Sequence, residues 1–300
     1  MRSLYNDVEV IFIHSLGKKP MRTLQILIPL LFVSFAIAQV QPPTPVQVAV
    51  TSPWAHTLIM SANITQISFT DWAQGGENAL AYALFLEGKS SYSQGVVDLV
   101  NSFKFGFGQA KLGSQGIRKT DDKIDLESVL TYKMGTYVNP YASASLKTQF
   151  AEGVTYDTAG NATPVSNFFD PAYITQSVGV GYQPIHEVKT RLGVGIREIV
   201  TKTYTAYSDG KKVEVDGGFE SITEVGWTVM ENVVLNSKLE LFAPLKTLDQ
   251  MLVRSDNTLA AKVNKFLSVN FNVQLLNDPK VQARTQVKQT LAVSFSYNLM

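Results

Sequence analysis

The chain contains no cysteine. That excludes disulfides, zinc–thiolate sites, thiol nucleophiles and the acylated cysteine of a lipoprotein anchor. Histidine is scarce as well: three in all, leaving His56 and His186 once the leader is set aside. A serine nucleophile needs a base beside it, and neither histidine stands near a serine in a recognisable motif. No carboxylates cluster with them, so no transition-metal site is expected. Residues Asp157 to Asn161 lack the spaced oxygen ligands of a calcium loop. Gly193-Val194-Gly195 precedes no helical pattern, so it is not a phosphate loop. The formal net charge of +1 argues against nucleic acid as a partner. No apolar run in the mature chain reaches the ~20 residues of a transmembrane helix. The sequence therefore predicts no catalytic residue, no cofactor and no metal, and the chain is not read as an enzyme.

What is present begins with an export leader. Met21-Arg22 is followed by an apolar run from Leu24 to Phe35 and then by Ala36-Ile37-Ala38. A charged start, a short apolar core and a small-x-small site form a Sec-type signal peptide, with cleavage expected before Gln39. Residues 1–20 carry Asp7 and Glu9 ahead of a second apolar patch, which fits a spurious N-terminal extension with the true start at Met21. The expected organisation is a leader over 1–38, a stiff periplasmic lead-in over 39–54 containing Gln41-Pro42-Pro43-Thr44-Pro45, and one domain over 55–300.

That domain alternates. Ile124, Leu126, Ser128, Leu130, Tyr132 and Met134 share one face of an extended segment, and Asp125, Glu127, Val129, Thr131 and Lys133 share the other. A period of two sends successive side chains to opposite faces of a strand. Twelve such segments are predicted, over 57–69, 78–88, 97–111, 122–134, 140–151, 172–183, 187–200, 219–229, 232–243, 255–264, 266–276 and 285–299. Tight turns at 135–138, 183–186, 230–231 and 264–265 alternate with long polar connections at 113–121, 151–171, 201–218 and 243–254. Behind a secretory leader, this pattern predicts an all-β fold: a single antiparallel transmembrane β-barrel of about 12 strands in an outer membrane, with periplasmic termini and long loops outside the cell.

The apolar face, including Leu84, Phe105, Leu192, Leu239, Phe271 and Leu291, is assigned to lipid, with Tyr132, Tyr137, Tyr141, Tyr182 and Trp227 as interfacial aromatics. A soluble sandwich, its apolar face turned inward, is the competing fold. The polar face is assigned to the lumen: Lys104, Asp125, Glu127, Lys133, Lys147, Lys189, Arg191, Arg197, Glu224, Lys238, Glu240 and Lys262. Charges of that kind cannot face lipid, where a mid-bilayer Lys or Arg costs ~2–4 kcal/mol. No strand reads as conspicuously polar on its outer face, which leaves the oligomeric state open.

Thr70-Asp71-Trp72-Ala73-Gln74-Gly75-Gly76-Glu77-Asn78-Ala79-Leu80-Ala81 resembles the signature of an uncharacterised Bacteroidota-type outer-membrane barrel family, domain of unknown function 3078. Arg118 to Asp122, Thr148-Gln149-Phe150, Ser166 to Tyr173 and Asn257 to Gln274 are similar to later parts of it. The motif loop carries Trp72, Gly75, Gly76 and Asn78. The resemblance implies an outer-membrane barrel and no activity. Such barrels usually close on an aromatic residue; here Phe295 and Tyr297 precede Leu299-Met300.

Two readings of function stay open. In one, the charged lumen holds water and forms a porin-like passive pore for small polar solutes, weakly favouring anions because basic residues outnumber acidic ones. In the other, the charges pair across the lumen and close it, leaving a structural or docking barrel. Eight strands are filled by side chains and ~16–18 leave a channel, so twelve decides nothing. The partners expected are outer-membrane lipid, the barrel-insertion machinery and, for a pore, small solutes.

Overall fold

The computed structural model describes residues 52–68 and 77–300. The leader, the expected cleavage point, most of the lead-in, and Trp72, Gly75 and Gly76 lie outside the described residues. Asn78 lies within them, and its carbonyl accepts a hydrogen bond from the Gly113 amide at 2.7 Å.

Twelve strands close into one antiparallel barrel. They are β1 (Trp54–Ile67), β2 (Ala79–Gln94), β3 (Val97–Leu112), β4 (Arg118–Tyr132), β5 (Val138–Thr148), β8 (Ala172–Ile185), β9 (Val188–Val200), β10 (Val213–Met230), β11 (Val233–Pro244), β12 (Leu252–Lys262), β13 (Leu267–Asn277) and β14 (Gln286–Asn298). A separate hairpin of β6 (Gly153–Tyr156) and β7 (Ala162–Ser166) stands in the connection between β5 and β8. The barrel shuts where β14 returns to β1, with Tyr297 opposite Met60 and Ser296 opposite Ser61. Closure removes the free edges that would otherwise expose unpaired backbone groups.

Short connections at 95–96, 133–137, 186–187, 231–232 and 263–266 fall at one end, and those at 68–78, 113–117, 149–171, 201–212, 245–251 and 278–285 at the other. Three of the long connections, at 113–117, 201–212 and 245–251, are shorter than expected because strands run on into them, whereas 149–171 keeps its length and folds into its own hairpin. β4 starts at Arg118 rather than 122, and β10 starts at Val213 rather than 219, where Glu214 opposes Ile199 and Asp216 opposes Arg197.

The apolar residues point out of the barrel, against the soluble-sandwich alternative. Leu84, Leu192 and Phe219 are each 53% exposed and Leu291 is 71% exposed. Tyr132, Tyr137, Tyr182 and Trp227 are exposed at the short-turn end. Tyr141 is a correction: it faces inward and is 5% exposed. Its hydroxyl lies over Gly193, where an added Cβ would stand 2.6 Å from it. Glycine is thus what lets the tyrosine lie across β9.

The outer face also departs from expectation at β12. Ser255 and Asn257 share the outward side with Val253 and Leu259, and Asn257 is opposite Ser237 of β11.

Candidate functional site

Strand pairing puts Lys104, Asp125, Glu127, Lys133, Lys147, Lys189, Arg191, Arg197, Glu224, Lys238, Glu240 and Lys262 on the inward side of the wall. They do not form a uniform lining. β4 acts as a hub. Asp121, Lys123, Asp125 and Glu127 alternate along its inner face, and the side chains of Asp121, Lys123 and Glu127 meet strands far around the ring. Lys123 Nζ lies 3.5 Å from Asp256 Oδ2 on β12, the strand diametrically opposite β4. Lys238 of β11 donates to Glu127 at 2.6 Å and lies 3.2 Å from Glu240 and 3.7 Å from Glu224. Arg191 of β9 donates to the other oxygen of Glu127, and Lys147 of β5 pairs with Glu240. Lys288 of β14 meets Asp121 at 2.7 Å. The pairs Lys123–Asp256, Lys238–Glu127, Arg191–Glu127, Lys147–Glu240 and Lys288–Asp121 are chords across the lumen, whereas Lys238 meets Glu240 along its own strand and Glu224 on the neighbouring one.

Toward the long-loop end the lumen tightens further. Tyr173, Ile199, Ile222, Phe242 and Leu252 face inward there. Ile199 is 2% exposed and Phe242 4% exposed, so this layer is an apolar filling between two ionic ones. Between it and the hub lies a cavity of about 40 Å³ lined by Lys147, Tyr173, Arg197, Glu220, Phe242 and Arg254. At ~10–15 Å³ for a single water, that is room for a few waters and not for a solute.

Above it, the β13–β14 connection turns into the mouth. Asp278 is 5% exposed and accepts from Arg197 at 3.3 Å. Lys280 donates to Glu214 at 2.7 Å and to Asp216 at 2.5 Å. Burial works against the Lys280 charge, but the hydrogen bonds and charges of Asp216 and Glu214 outweigh it and raise its pKa above the ordinary lysine value.

The short-turn end is open by contrast. The β2–β3 wall is open as well: Lys104, opposite Asp125, lies 3.9 Å from Glu87 with both side chains about half exposed (50% and 51%). Lys189 and Lys262 are exposed on the inner wall, and Lys133 pairs with Asp98 at 2.9 Å. Of the expected lumen set, Lys147, Arg191, Arg197, Lys238, Glu127 and Glu240 are therefore in the closed part. Lys133, Lys189 and Lys262 belong to a cup facing the short-turn end, and Lys104 stands at the level of the hub opposite Asp125.

Sequence reasoning missed several members. Glu214 and Asp216 fall in the expected 201–218 connection, and Asp278 and Lys280 fall between the last two predicted strands. The available signal was alternation in Val213-Glu214-Val215-Asp216, which already reads as strand. Ile199, Ile222 and Phe242 break the rule that the inner face is polar, and only pairing reveals their side.

The remaining candidates are structural. His56 stacks on Trp54, with ring centroids 5.8 Å apart. Asp157 caps its own hairpin turn, accepting from Ala159 N at 2.9 Å and Asn161 N at 2.8 Å. Hydrogen bonds from the side chain and backbone of Asn161 hold its carboxyl below the usual carboxylate range. Among the described residues, no cluster of three or more His, Cys, Asp or Glu could hold a metal ion.

Residues 64–154 match a family described as "Protein of unknown function (DUF3078)". The matched stretch holds β2 to β5, and so the whole of the β4 hub. No curated protein matches the chain. Among solved structures, an outer-membrane channel from Pseudomonas putida F1 is 10% identical, with a TM-score of 0.40 over 82% of this chain and 95% of its own. The NanC porin is 10% identical, with a TM-score of 0.36 over 81% and 97%. The translocator domain of the autotransporter NalP from Neisseria meningitidis is 8% identical, with a TM-score of 0.36 over 81% and 87%. Likenesses this distant say nothing of what this barrel does.

Proposed function

We propose that this chain is an outer-membrane β-barrel of a Bacteroidota-type Gram-negative bacterium, closed at rest, that works as a structural or docking barrel rather than a standing pore. Membrane placement rests on the outward apolar belt, which water would not tolerate over a whole closed wall, and on the leader. The long connections face outside and the short turns face the periplasm, as in barrels of this kind.

The observation that carries closure is the pair of contacts from β4 to the far wall, Lys123 to Asp256 and Lys238 to Glu127. A water-filled lumen has no need to join opposite walls by direct ion pairs. The rigid outer end favours docking. Asp170 accepts from the amides of Lys202 at 3.0 Å and Thr203 at 2.8 Å, tying two long connections together. Asp122 of β4 accepts from Phe150 N at 3.0 Å and Ala151 N at 2.9 Å, fastening the first of these connections to the wall as well.

The pore reading has one observation in its favour. Ala79, Ala81 and Ala83 face inward on β2 and leave room along that wall, although the Phe85 ring covers Gly106 and Thr120 covers Gly108 on β3. Single-channel recording of the refolded barrel in planar bilayers separates the two. The wild type is expected to be silent and a Lys123→Ala/Lys238→Ala/Lys288→Ala variant to conduct. Steady ohmic conductance of the wild type would overturn closure and leave the pore reading, weakly anion-preferring because of the basic cup.

A further inference from the structure

The seam that shuts the barrel is zipped over only part of its length. β1 and β14 pair from Ile59 with Asn298 to Asn63 with Ser294. Both strands then run on toward the long-loop end, β1 to Ile67 and β14 back to Gln286, without pairing. Continued register would set Ile64 against Val293, Thr65 against Ala292, Gln66 against Leu291 and Ile67 against Thr290. All eight residues are among those described. At the other seams, bulges apart, the strands stay paired to within a residue of where one of them ends. Four residues at ~3.3 Å each make this parting ~13 Å long. Each lip is a formed strand, because β1 stays paired to β2 as far as Ile67 and β14 to β13 as far as Gln286. Side-chain bonds across the seam stop at the same point. Ser61 and Ser296 share a hydrogen bond at 2.9 Å, and Ser294 donates to Asn63 at 2.5 Å. The next inward pair is Thr65 and Ala292, and alanine gives the threonine no side-chain partner. Leu291 is 71% exposed, where the outward Leu84 and Leu192, flanked on both sides by paired strands, are 53% exposed.

We infer that this stretch of the β1–β14 seam is a lateral gate, through which the head group of a membrane lipid passes between the outer leaflet and the lumen. The inference rests on the membrane placement proposed above but not on whether the lumen is closed along its axis. Unsatisfied backbone groups are costly in hydrocarbon, so the two parted edges need a polar partner. The outer side offers apolar contacts from Ile64, Leu291 and Val293. The lumen side is polar, with Asn63, Thr65, Asn270, Thr290 and Lys288 facing inward. A molecule with a polar head and an apolar chain suits both sides at once. Its head meets the free N–H and C=O groups while its chain stays against the outer wall. A stretch held by few hydrogen bonds also opens at the least free energy. At rest the inner lip is shut, since Ala292 is only 9% exposed. The two lips are not equally held. Lys288 ties β14 to Asp121 of β4, whereas β1 contains no Asp, Glu, Lys or Arg and takes part in no such chord. β1 is therefore the lip that moves.

The test uses the full barrel chain refolded into phosphatidylcholine vesicles doped with a phosphatidylethanolamine that carries a maleimide on its head group. The chain has no cysteine of its own to react. An Ala81→Cys variant, on the inner face of β2 opposite Thr65, should take the lipid label. A Ser145→Cys variant, inward on β5, should not. Adding Thr65→Asn/Ala292→Ser repeats the Asn63–Ser294 bond one step further along the seam, and should slow labelling of Ala81→Cys at least tenfold. If that variant fails to fold, disulfides decide. Such a bond needs Cα atoms within ~7 Å, so copper phenanthroline should close Ala62→Cys/Phe295→Cys and leave Ile64→Cys/Val293→Cys largely open. Equal labelling of Ala81→Cys and Ser145→Cys, an unchanged rate in the added double variant, or equal disulfide yield in the two pairs would each overturn the gate. An Ile64→Cys variant, on the outer face, must take the lipid label in any case; its failure would overturn the membrane placement and the gate with it. A conducting wild type would refute closure along the axis and leave these outcomes untouched.

Discussion

Replacing Glu127 by Gln keeps its shape and removes its charge, which makes it the sharpest probe of the lumen. Glu127 and Arg191 side chains are each 11% exposed, and Lys238 is 26% exposed. Glu127 is the acid that Arg191 pairs with, whereas Lys238 retains Glu240 and Glu224. The loss should thus come mainly from the stranded guanidinium, and breaking a buried pair on one side costs about 3–5 kcal/mol. We expect the lower end, ~3 kcal/mol, because neighbouring carboxylates soften the field. With a urea slope of ~2 kcal/mol/M, the unfolding midpoint would fall by roughly 1.5 M. Tryptophan fluorescence of the refolded barrel in detergent reads it, since Trp54 and Trp227 lie in strands at the short-turn end. A Glu127→Leu/Arg191→Met/Lys238→Met variant should recover most of the loss, because apolar groups of similar volume need no partner. A midpoint unmoved by Glu127→Gln would refute the reasoning. It would mean that the pair behaves like an exposed one, worth ~0–1 kcal/mol, and that bulk water fills the lumen.

Two further outcomes follow from the two ends of the barrel. The Lys280 pKa is raised in the folded chain, so its contribution is fully present below the unfolded lysine value of ~10.4 and is lost only as pH rises through the higher folded value. Trypsin cleavage at Arg284 should therefore stay slow from pH 7 to about 10, quicken above that, and be fast at every pH in Lys280→Glu; a loosening near pH 7 would refute the latch. Orientation is checked by an impermeant maleimide on intact cells, which should modify a cysteine placed at Asp157 and spare one at Thr136. The reverse pattern would invert the barrel.

The fold was legible because alternation is a local property. All twelve barrel strands answer to predicted segments, and parity along a segment is what gave each charge named from the sequence its face. Errors arose where parity continues past the membrane belt. Val213-Glu214-Val215-Asp216 alternates as well as any strand, but its flanking Lys211-Lys212 and Gly217-Gly218 read as loop. Tyr141 erred differently. An aromatic near a strand end suits a membrane interface, yet its odd position on β5 shares the face of Ser143, Ser145 and Lys147, and parity should have outweighed composition.

What the sequence does not contain is which charge meets which. Glu127 and Lys238 are on strands that never pair with each other, and their meeting depends on the barrel's circumference and on how far strands slide past one another at closure. Neither quantity has a local signature. The same list of inward lysines and carboxylates would line a pore in a wider barrel and bridge the lumen in a narrower one. A one-residue slip at a single seam would turn every charge of a strand into lipid, so the register itself is strongly held. The state of the lumen is set by small differences in reach between opposite walls. That is why one carboxylate, Glu127, contacted from two strands at once, decides more about this barrel than its strand count.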